Sequence, residues 1–199
     1  MRISESLPAG YEQIFAVDLQ KDKKMALSIN LTAILIMLIM GVGMHFLIPV
    51  TAFFTVEEDQ IWLLFVRAAV LAVSYIAYIF LHEAVHGVAM KLCGTKKVKY
   101  GFTGLYAFAG SDAYYGKGAY IFIALAPVVL WGVVLGVLCA LLPTGWFWIA
   151  WFLQIGNISG AAGDFYVTFR FLRMPREILV RDSGVSMTVF APCDEKHDT

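Results

Sequence analysis

The chain has 199 residues, of which 60% are hydrophobic and 15% are charged, with 15 basic side chains against 15 acidic ones. Its mean hydropathy of +0.73 leaves too little polar surface for a soluble globular domain, in which roughly 25% of residues are charged. This composition excludes a disordered chain, and the zero net charge excludes a nucleic-acid-binding protein with a basic excess. Three scattered cysteines exclude a disulfide scaffold. An integral membrane protein remains.

Four long apolar segments predict four transmembrane helices, because each reaches the ~20 residues that a helix needs to cross ~30 Å of hydrocarbon. They cover about 25–50, 61–90, 119–142 and 146–169. We expect a single membrane domain over 1–199. The parts outside the helices are an N-terminal segment 1–24, a loop 91–118 and a tail 170–199. A set of buried core helices is the alternative, but these helices would lack amphipathic neighbours to cover them.

The charges of the connecting segments predict an orientation in the bilayer. The 51–60 connection carries three acids and no basic residue, whereas the 91–117 connection carries five lysines against Asp112. The tail adds four arginines and a lysine. The positive-inside rule therefore places both termini and the 91–117 loop in the cytoplasm. The cysteines then lie in the membrane or on a reducing side, where no disulfide is expected.

The three cytoplasmic segments contain short runs in which apolar and polar residues alternate, which predicts β-strands or hairpins. The apolar positions are Tyr11, Phe15, Val17 and Leu19, then Val98, Tyr100, Phe102, Tyr106 and Phe108, and finally Ile178, Val180, Val185, Met187 and Val189. Loosely ordered loops are the alternative. The predicted fold class is an all-α polytopic membrane protein, with four transmembrane helices and small cytoplasmic β-hairpin elements.

Three charged residues lie within the predicted helices: Arg67, Glu83 and Asp164. Arg67 is about two turns from the outer end of its helix, so its long side chain can extend to the interface. Glu83 and Asp164 are shorter, and an acid within the membrane is costly enough to indicate a functional site. The two acids therefore require an explanation.

Glu83 belongs to the pentapeptide His82-Glu83-Ala84-Val85-His86. On a helix, residues at i and i+4 share a face, so both imidazoles can bind one Zn²⁺. Glu83 can then act as general base towards a zinc-bound water. The alternative is a polar contact between helices. We favour a zinc site of the HExxH type, which predicts a zinc-dependent enzyme.

A catalytic zinc site needs a third protein ligand. His45 lies near the outer end of its predicted helix, whereas His82 and His86 lie near the inner end of theirs, so depth in the membrane argues against His45. Asp164 lies at a depth close to that of the two histidines and is the preferred third ligand. Asp112, in the 91–117 loop, is the reserve candidate.

The fourth apolar segment places Asn157, Gly160 and Asp164 at i, i+3 and i+7, which is one face of a continuous helix. The glycines allow close approach of a neighbouring helix. Two interpretations of Asn157 remain open. It either hydrogen-bonds a substrate carbonyl, as a substrate-binding residue, or bridges two helices.

Several motifs resemble those of the DUF3267 zincin peptidase family and, more distantly, those of the site-2 protease class of intramembrane metalloproteases. The motifs are Leu-Pro-Ala-Gly-Tyr (7–11), HEAVHG (82–87), Ala-Pro (126–127), Asn-Ile-Ser-Gly-Ala-Ala-Gly-Asp (157–164) and Arg-Asp-Ser-Gly (181–184). The resemblance covers nearly the whole chain. One departure is that site-2 proteases typically carry Leu-Asp-Gly or Asn-Pro-Asp-Gly at the third ligand, whereas Gly163 and Phe165 flank Asp164 here.

The resemblance implies His82, His86 and Asp164 as zinc ligands and Glu83 as the catalytic base. It also implies that the 94–118 region presents an edge strand to an extended peptide. A helical substrate has to unwind first, since its carbonyls are hydrogen-bonded within the helix. We therefore expect a zinc metalloendopeptidase of a bacterial cell membrane, which cleaves membrane-associated or transmembrane substrates near the cytoplasmic face. The alternative is a catalytically silent metal-binding scaffold or regulator that captures a partner helix. The expected partners are the lipid bilayer and a membrane protein or peptide substrate, with no nucleic acid.

Overall fold

The computed structural model describes residues 3–18, 21–104 and 107–193. Its α-helices are α1 (Lys23–Leu47), α2 (Trp62–Leu92), α3 (Lys117–Leu141), α4 (Thr144–Gly160) and α5 (Ala162–Leu172). Short 3-10 helices cover Val50–Phe53 and Glu58–Gln60. The strands are β1 (Ile3–Ser4), β2 (Tyr11–Val17), β3 (Lys99–Phe102), β4 (Ala107–Gly110), β5 (Tyr114–Gly116), β6 (Leu179–Asp182) and β7 (Met187–Pro192).

Among the described residues, three helices, α1, α2 and α3, are long and apolar enough to cross a membrane. Each agrees with a predicted segment to within three residues at either end. The first helix ends at Leu47 and not at residue 50, because Pro49 follows and the residue before a proline is disfavoured in the helical conformation.

The prediction of one continuous helix over 146–169 is wrong. Helix α4 ends at Gly160 and α5 begins at Ala162, with Ala161 between them at φ −82° and ψ 13°. Glycines at positions 160 and 163 weaken the helix at this point, since glycine loses the most backbone entropy on becoming helical. Asp164 consequently lies in the first turn of α5, where the helix dipole favours a carboxylate.

The class is mostly helical and not all-α, because the β-structure exceeds the hairpins that the sequence predicted. Strands β1-β5-β6-β7-β2, in this order, form one antiparallel sheet, and β3 and β4 form a separate hairpin. The alternating residues of the N-terminal segment fall in β2, which pairs with β7 from Tyr11 opposite Pro192 to Val17 opposite Met187. The sequence did not predict β1 and β5. Leu19 and Tyr106 lie outside the described residues.

The chain divides into two compact units, and the first contains both sheets. It comprises Met1–Leu27, Glu83–Ala126 and Asp164–Thr199. Its core is made of sheet residues that are completely buried, among them Tyr115, Val180 and Val189, packed with Met90 of α2 and Ile123 of α3. The strands of the five-stranded sheet come from all three segments that the sequence placed in the cytoplasm.

The second unit comprises Ser28–His82 and Pro127–Gly163, and Arg67 lies within it. Extension of the Arg67 side chain to a membrane interface stays a prediction, and the residue is buried, with 7% of its surface exposed. Its Nη1 donates hydrogen bonds to the carbonyls of Phe53, at 2.6 Å, and Thr55, at 3.2 Å. The carbonyls at the end of a short helix lack intrahelical partners, so the guanidinium holds this connection in place.

Candidate metal centre

Helix α2 runs continuously through the HExxH turn, although the division between the two units falls between His82 and Glu83. His82, His86 and Asp164 each offer one ligand atom, and these atoms all lie within 4.8 Å of one another. Within the described part of the chain, this is the one group of three or more His, Cys, Asp or Glu side chains close enough to hold a metal ion. All three residues are half-buried.

A backbone carbonyl orients His86. The Nδ1 of His86 lies 2.9 Å from the carbonyl oxygen of Ile123, in α3. Because a carbonyl only accepts hydrogen bonds, Nδ1 carries the hydrogen, and in the neutral imidazole Nε2 then carries the lone pair. This Nε2 lies 3.9 Å from Oδ1 of Asp164. Histidines that bind metals usually donate the hydrogen of the other ring nitrogen to a carbonyl or carboxylate in this way.

Pro127 explains why the Ile123 carbonyl is available to His86. In an α-helix, the carbonyl of residue i accepts from the N–H of residue i+4, which for Ile123 is residue 127. Proline has no N–H, so the helix itself offers no i+4 donor to this carbonyl. The proline of the Ala-Pro motif thus leaves the Ile123 carbonyl free of its helical donor, so this carbonyl can accept a hydrogen bond from the candidate ligand His86.

The Nδ1 of His82 lies 2.8 Å from the hydroxyl of Tyr78, one turn earlier on α2. The Tyr78 hydroxyl donates to Oδ1 of Asn157 at 3.0 Å, and Nδ2 of Asn157 donates to the carbonyl of Val128 at 3.1 Å. Asn157 is completely buried. Both ends of its amide are therefore engaged within the protein, which favours the bridging interpretation, while a contact with substrate stays a prediction.

The β3–β4 hairpin packs against the HExxH turn. The backbone N–H of Ala109, in β4, lies near the Glu83 carboxylate and favours its charged form. A Cβ atom added at Gly87 would overlap the hydroxyl of Tyr100, in β3. The glycine after the second histidine therefore allows the hairpin to approach the helix, and Ala109 of the hairpin lies near the carboxylate that the sequence singled out as the catalytic base.

Sequence reasoning missed a third acid, Asp182, at the end of β6. Its carboxylate accepts hydrogen bonds from the Tyr120 hydroxyl and, at 2.8 Å, from the Gly184 N–H. Burial raises the pKa of the Asp182 carboxyl above its ordinary value, although these hydrogen bonds oppose the shift. Asp182 is close enough to act electrostatically on Glu83 and Asp164. Its position in the Arg-Asp-Ser-Gly motif was the available signal.

Asp112, the reserve ligand candidate, and His45, the disfavoured one, have other partners. Asp112 is exposed and accepts hydrogen bonds from Lys99, at 2.5 Å, and Arg181, at 3.0 Å, and these contacts hold the pKa of its carboxyl below the usual range. The Nδ1 of His45 accepts a hydrogen bond from the Val50 N–H at 3.1 Å. Neither residue belongs to the group formed by His82, His86 and Asp164.

The donor set fits zinc. Two imidazoles and one carboxylate are a ligand set of catalytic zinc sites, in which the fourth position is left to water or substrate. Bond lengths of about 2.1 Å in a tetrahedral site separate neighbouring ligand atoms by about 3.4 Å. The ligand atoms here lie within 4.8 Å of one another, which is close to that separation.

The apolar helices are compatible with a membrane protein, and His82, His86 and Asp164 form a group that could hold a metal ion beside Glu83. A family model matches residues 75–179, just over half of the chain, and its description is "Putative zincin peptidase". The chain belongs to this family, DUF3267, as the motifs predicted. No curated protein and no solved structure matches the chain. Membership suggests a metallopeptidase and implies zinc.

Proposed function

We propose that the protein is a membrane-embedded zinc metalloendopeptidase, which hydrolyses peptide bonds of membrane-associated or transmembrane substrates near the cytoplasmic face. The observation that carries the proposal is the convergence of His82, His86 and Asp164 within 4.8 Å, beside Glu83 on the same turn of α2. Family membership supports the same activity.

Glu83 is the proposed general base. It takes a proton from the water that attacks the scissile carbonyl, and it delivers this proton to the leaving amine when the C–N bond breaks. A zinc ion held by His82, His86 and Asp164 would supply the Lewis acidity that polarises the carbonyl and acidifies the water. The nearby Ala109 N–H favours the charged form of the Glu83 carboxylate, which is the form that accepts the proton.

The five-stranded sheet supports the proposed topology of four crossings, in which both termini lie on the same side of the membrane. β1 pairs with β5, so α1 and α2 between them have to leave the sheet side and return. β5 likewise pairs with β6 across α3, α4 and α5. If α3 crosses the bilayer, α4 has to cross back. Its 17 residues equal about 26 Å at ~1.5 Å per residue and reach the lower limit for a transmembrane helix.

The β3–β4 hairpin supports the proposal that substrate binds as an extended strand. In the described part of the chain β3 pairs with β4 alone, and the two strands form their own small sheet. An edge strand next to Glu83 can add a peptide strand by backbone hydrogen bonds, which do not depend on the substrate's sequence. A transmembrane substrate would have to unwind locally before it could pair in this manner.

The decisive experiment compares purified wild-type protein with Glu83→Gln and with Glu12→Gln, an exposed control in β2. Cells that express each form are searched for membrane proteins that are shortened by wild type and by Glu12→Gln but not by Glu83→Gln. The zinc content of each purified form is measured in parallel. We expect Glu83→Gln to retain zinc and to abolish cleavage, because glutamine cannot accept the proton. Equal cleavage by wild type and Glu83→Gln would refute the mechanism.

The second candidate function is a catalytically silent metal-binding scaffold that captures a partner helix. The observation in its favour is the departure at the third ligand, where Gly163-Asp164-Phe165 replaces the motifs typical of site-2 proteases. If wild type and Glu83→Gln both bind zinc and the same membrane partner, and neither shortens it, the scaffold function is supported and the peptidase is not.

A further inference from the structure

We propose that Tyr78 and Asn157 are positioning residues for His82, which together set the imidazole tautomer whose Nε2 binds metal. The inference rests on the proposed metal site and adds two residues to it. Both residues belong to the same compact unit as His82, and the contacts form one chain that starts at a backbone carbonyl and ends at the imidazole.

The orientation of the Asn157 amide is the first step. The Val128 carbonyl can only accept a hydrogen bond, so the group of Asn157 that faces it at 3.1 Å must be the NH₂ group. The other end of the amide, Oδ1, is then an acceptor only. Complete burial of Asn157 strengthens this requirement, because a reversed amide would set two acceptors against each other without water to relieve them.

The Tyr78 hydroxyl is the second step. It has one hydrogen, which it donates to Oδ1 of Asn157 at 3.0 Å. Towards His82, 2.8 Å away, the same hydroxyl oxygen can therefore only accept. The hydrogen between them must come from Nδ1 of the imidazole, and in the neutral ring this leaves the lone pair on Nε2. The Tyr78 ring is held by Trp131, at 5.9 Å between centroids, and by packing with Leu135 and Leu153.

Both candidate histidine ligands thus obtain the same tautomer by different means. The Ile123 carbonyl accepts a hydrogen bond from His86 directly. For His82, the Val128 carbonyl fixes the orientation of the Asn157 amide, and the Asn157 amide then makes the Tyr78 hydroxyl an acceptor towards His82. Both outer contacts come from α3, at Ile123 and Val128, on either side of Pro127. Loss of such supporting hydrogen bonds typically weakens metal binding 10–100-fold.

The first test measures zinc affinity by competition with a chelator in Tyr78→Phe, Asn157→Leu and the double variant. We expect each single variant to bind zinc at least about tenfold more weakly, as is typical for supporting residues. The double variant should lose little more than either single one, because the residues act in series. Tyr75→Phe removes a hydroxyl one turn earlier on the same helix and should leave the affinity unchanged. Unchanged affinity in Tyr78→Phe would overturn the proposal.

The second test does not use the metal. Nitrogen-15 NMR of labelled histidines in metal-free protein reports which ring nitrogen carries the hydrogen. We expect Nδ1–H for His82 in the wild type and a shift towards Nε2–H in Asn157→Leu, in which the Tyr78 hydroxyl can turn and donate to Nδ1. If the tautomer changes but the wild type binds no zinc, the proposed function fails and the relay stands. An unchanged tautomer in both Asn157→Leu and Tyr78→Phe refutes the relay itself.

Discussion

Replacement of Pro127 by alanine tests whether the proline serves the metal centre. Alanine restores a backbone N–H at position 127, and the carbonyl that this N–H would reach within the helix is that of Ile123. The same carbonyl lies 2.9 Å from Nδ1 of His86. The substitution therefore introduces a competitor for the acceptor that orients a candidate ligand, and it changes no side chain of the metal group.

The size of the expected loss of zinc affinity follows from the number of lone pairs on the Ile123 carbonyl oxygen. A carbonyl oxygen has two lone pairs, so the new N–H weakens the bond to His86 and does not eliminate it. We therefore expect a loss of zinc affinity near the lower limit for such contacts, about tenfold, or about 1.4 kcal/mol. Helix propensity acts in the opposite direction, since alanine is favoured over proline inside a helix by up to ~3 kcal/mol. The variant should be at least as stable as wild type while binding zinc more weakly.

The assay pairs chelator competition for zinc with thermal unfolding of the metal-free protein in the same detergent. Pro143→Ala is the matched control, because Pro143 precedes α4 as its N-cap and its substitution leaves Ile123 untouched. Zinc affinity of Pro127→Ala equal to that of wild type and Pro143→Ala would refute the reasoning. Weaker zinc binding together with a markedly lower unfolding temperature would refute it as well, since a general loss of structure would then explain both.

Two further predictions concern the third ligand and the Arg67 contact. Asp164→Ala should lose stoichiometric zinc in metal analysis, whereas Asp112→Ala should keep it, and the reverse result would make Asp112 the ligand. Gly145→Ala should lower the free energy of unfolding by about 1–3 kcal/mol, as overpacking does, because the new Cβ would lie 2.8 Å from Cζ of Arg67. Gly136→Ala, where a Cβ meets nothing within 4 Å, should not be destabilising, and equal losses in both variants would contradict the packing argument.

The apolar helices and the histidine pair were predictable because both depend on local spacing, whereas Asp164 was chosen by its expected depth in the membrane and by the family resemblance. Uninterrupted runs of apolar residues identify α1, α2 and α3, and the i, i+4 relation of His82 and His86 follows from helix geometry alone. The interruption at Ala161 was not predicted, since the flanking glycines only lower the helix propensity there, and hydropathy hides such a break.

The supporting contacts of the site depend on tertiary structure and were out of reach. The missing N–H of Pro127 is evident in the sequence, but nothing there indicates that His86 takes the Ile123 carbonyl. Tyr78 likewise stands at i−4 from His82, yet its role depends on Asn157. The sheet was underestimated because β1 and β5 have two and three residues, too few to show alternation.

The pairing of β2 with β7 has a consequence for how the protein is made. Tyr11 pairs with Pro192, so β2 has no sheet partner until almost the whole described chain has been synthesised. Pairing over such a sequence distance is intrinsically slow, and strands that wait for a partner are prone to aggregate. Since β6 and β7 follow α5, the sheet closes only after Asp164 has left the ribosome. Closure of the sheet therefore marks a chain whose candidate metal ligands have all been synthesised, and a chain that stops before β7 would expose the β2 edge to quality control.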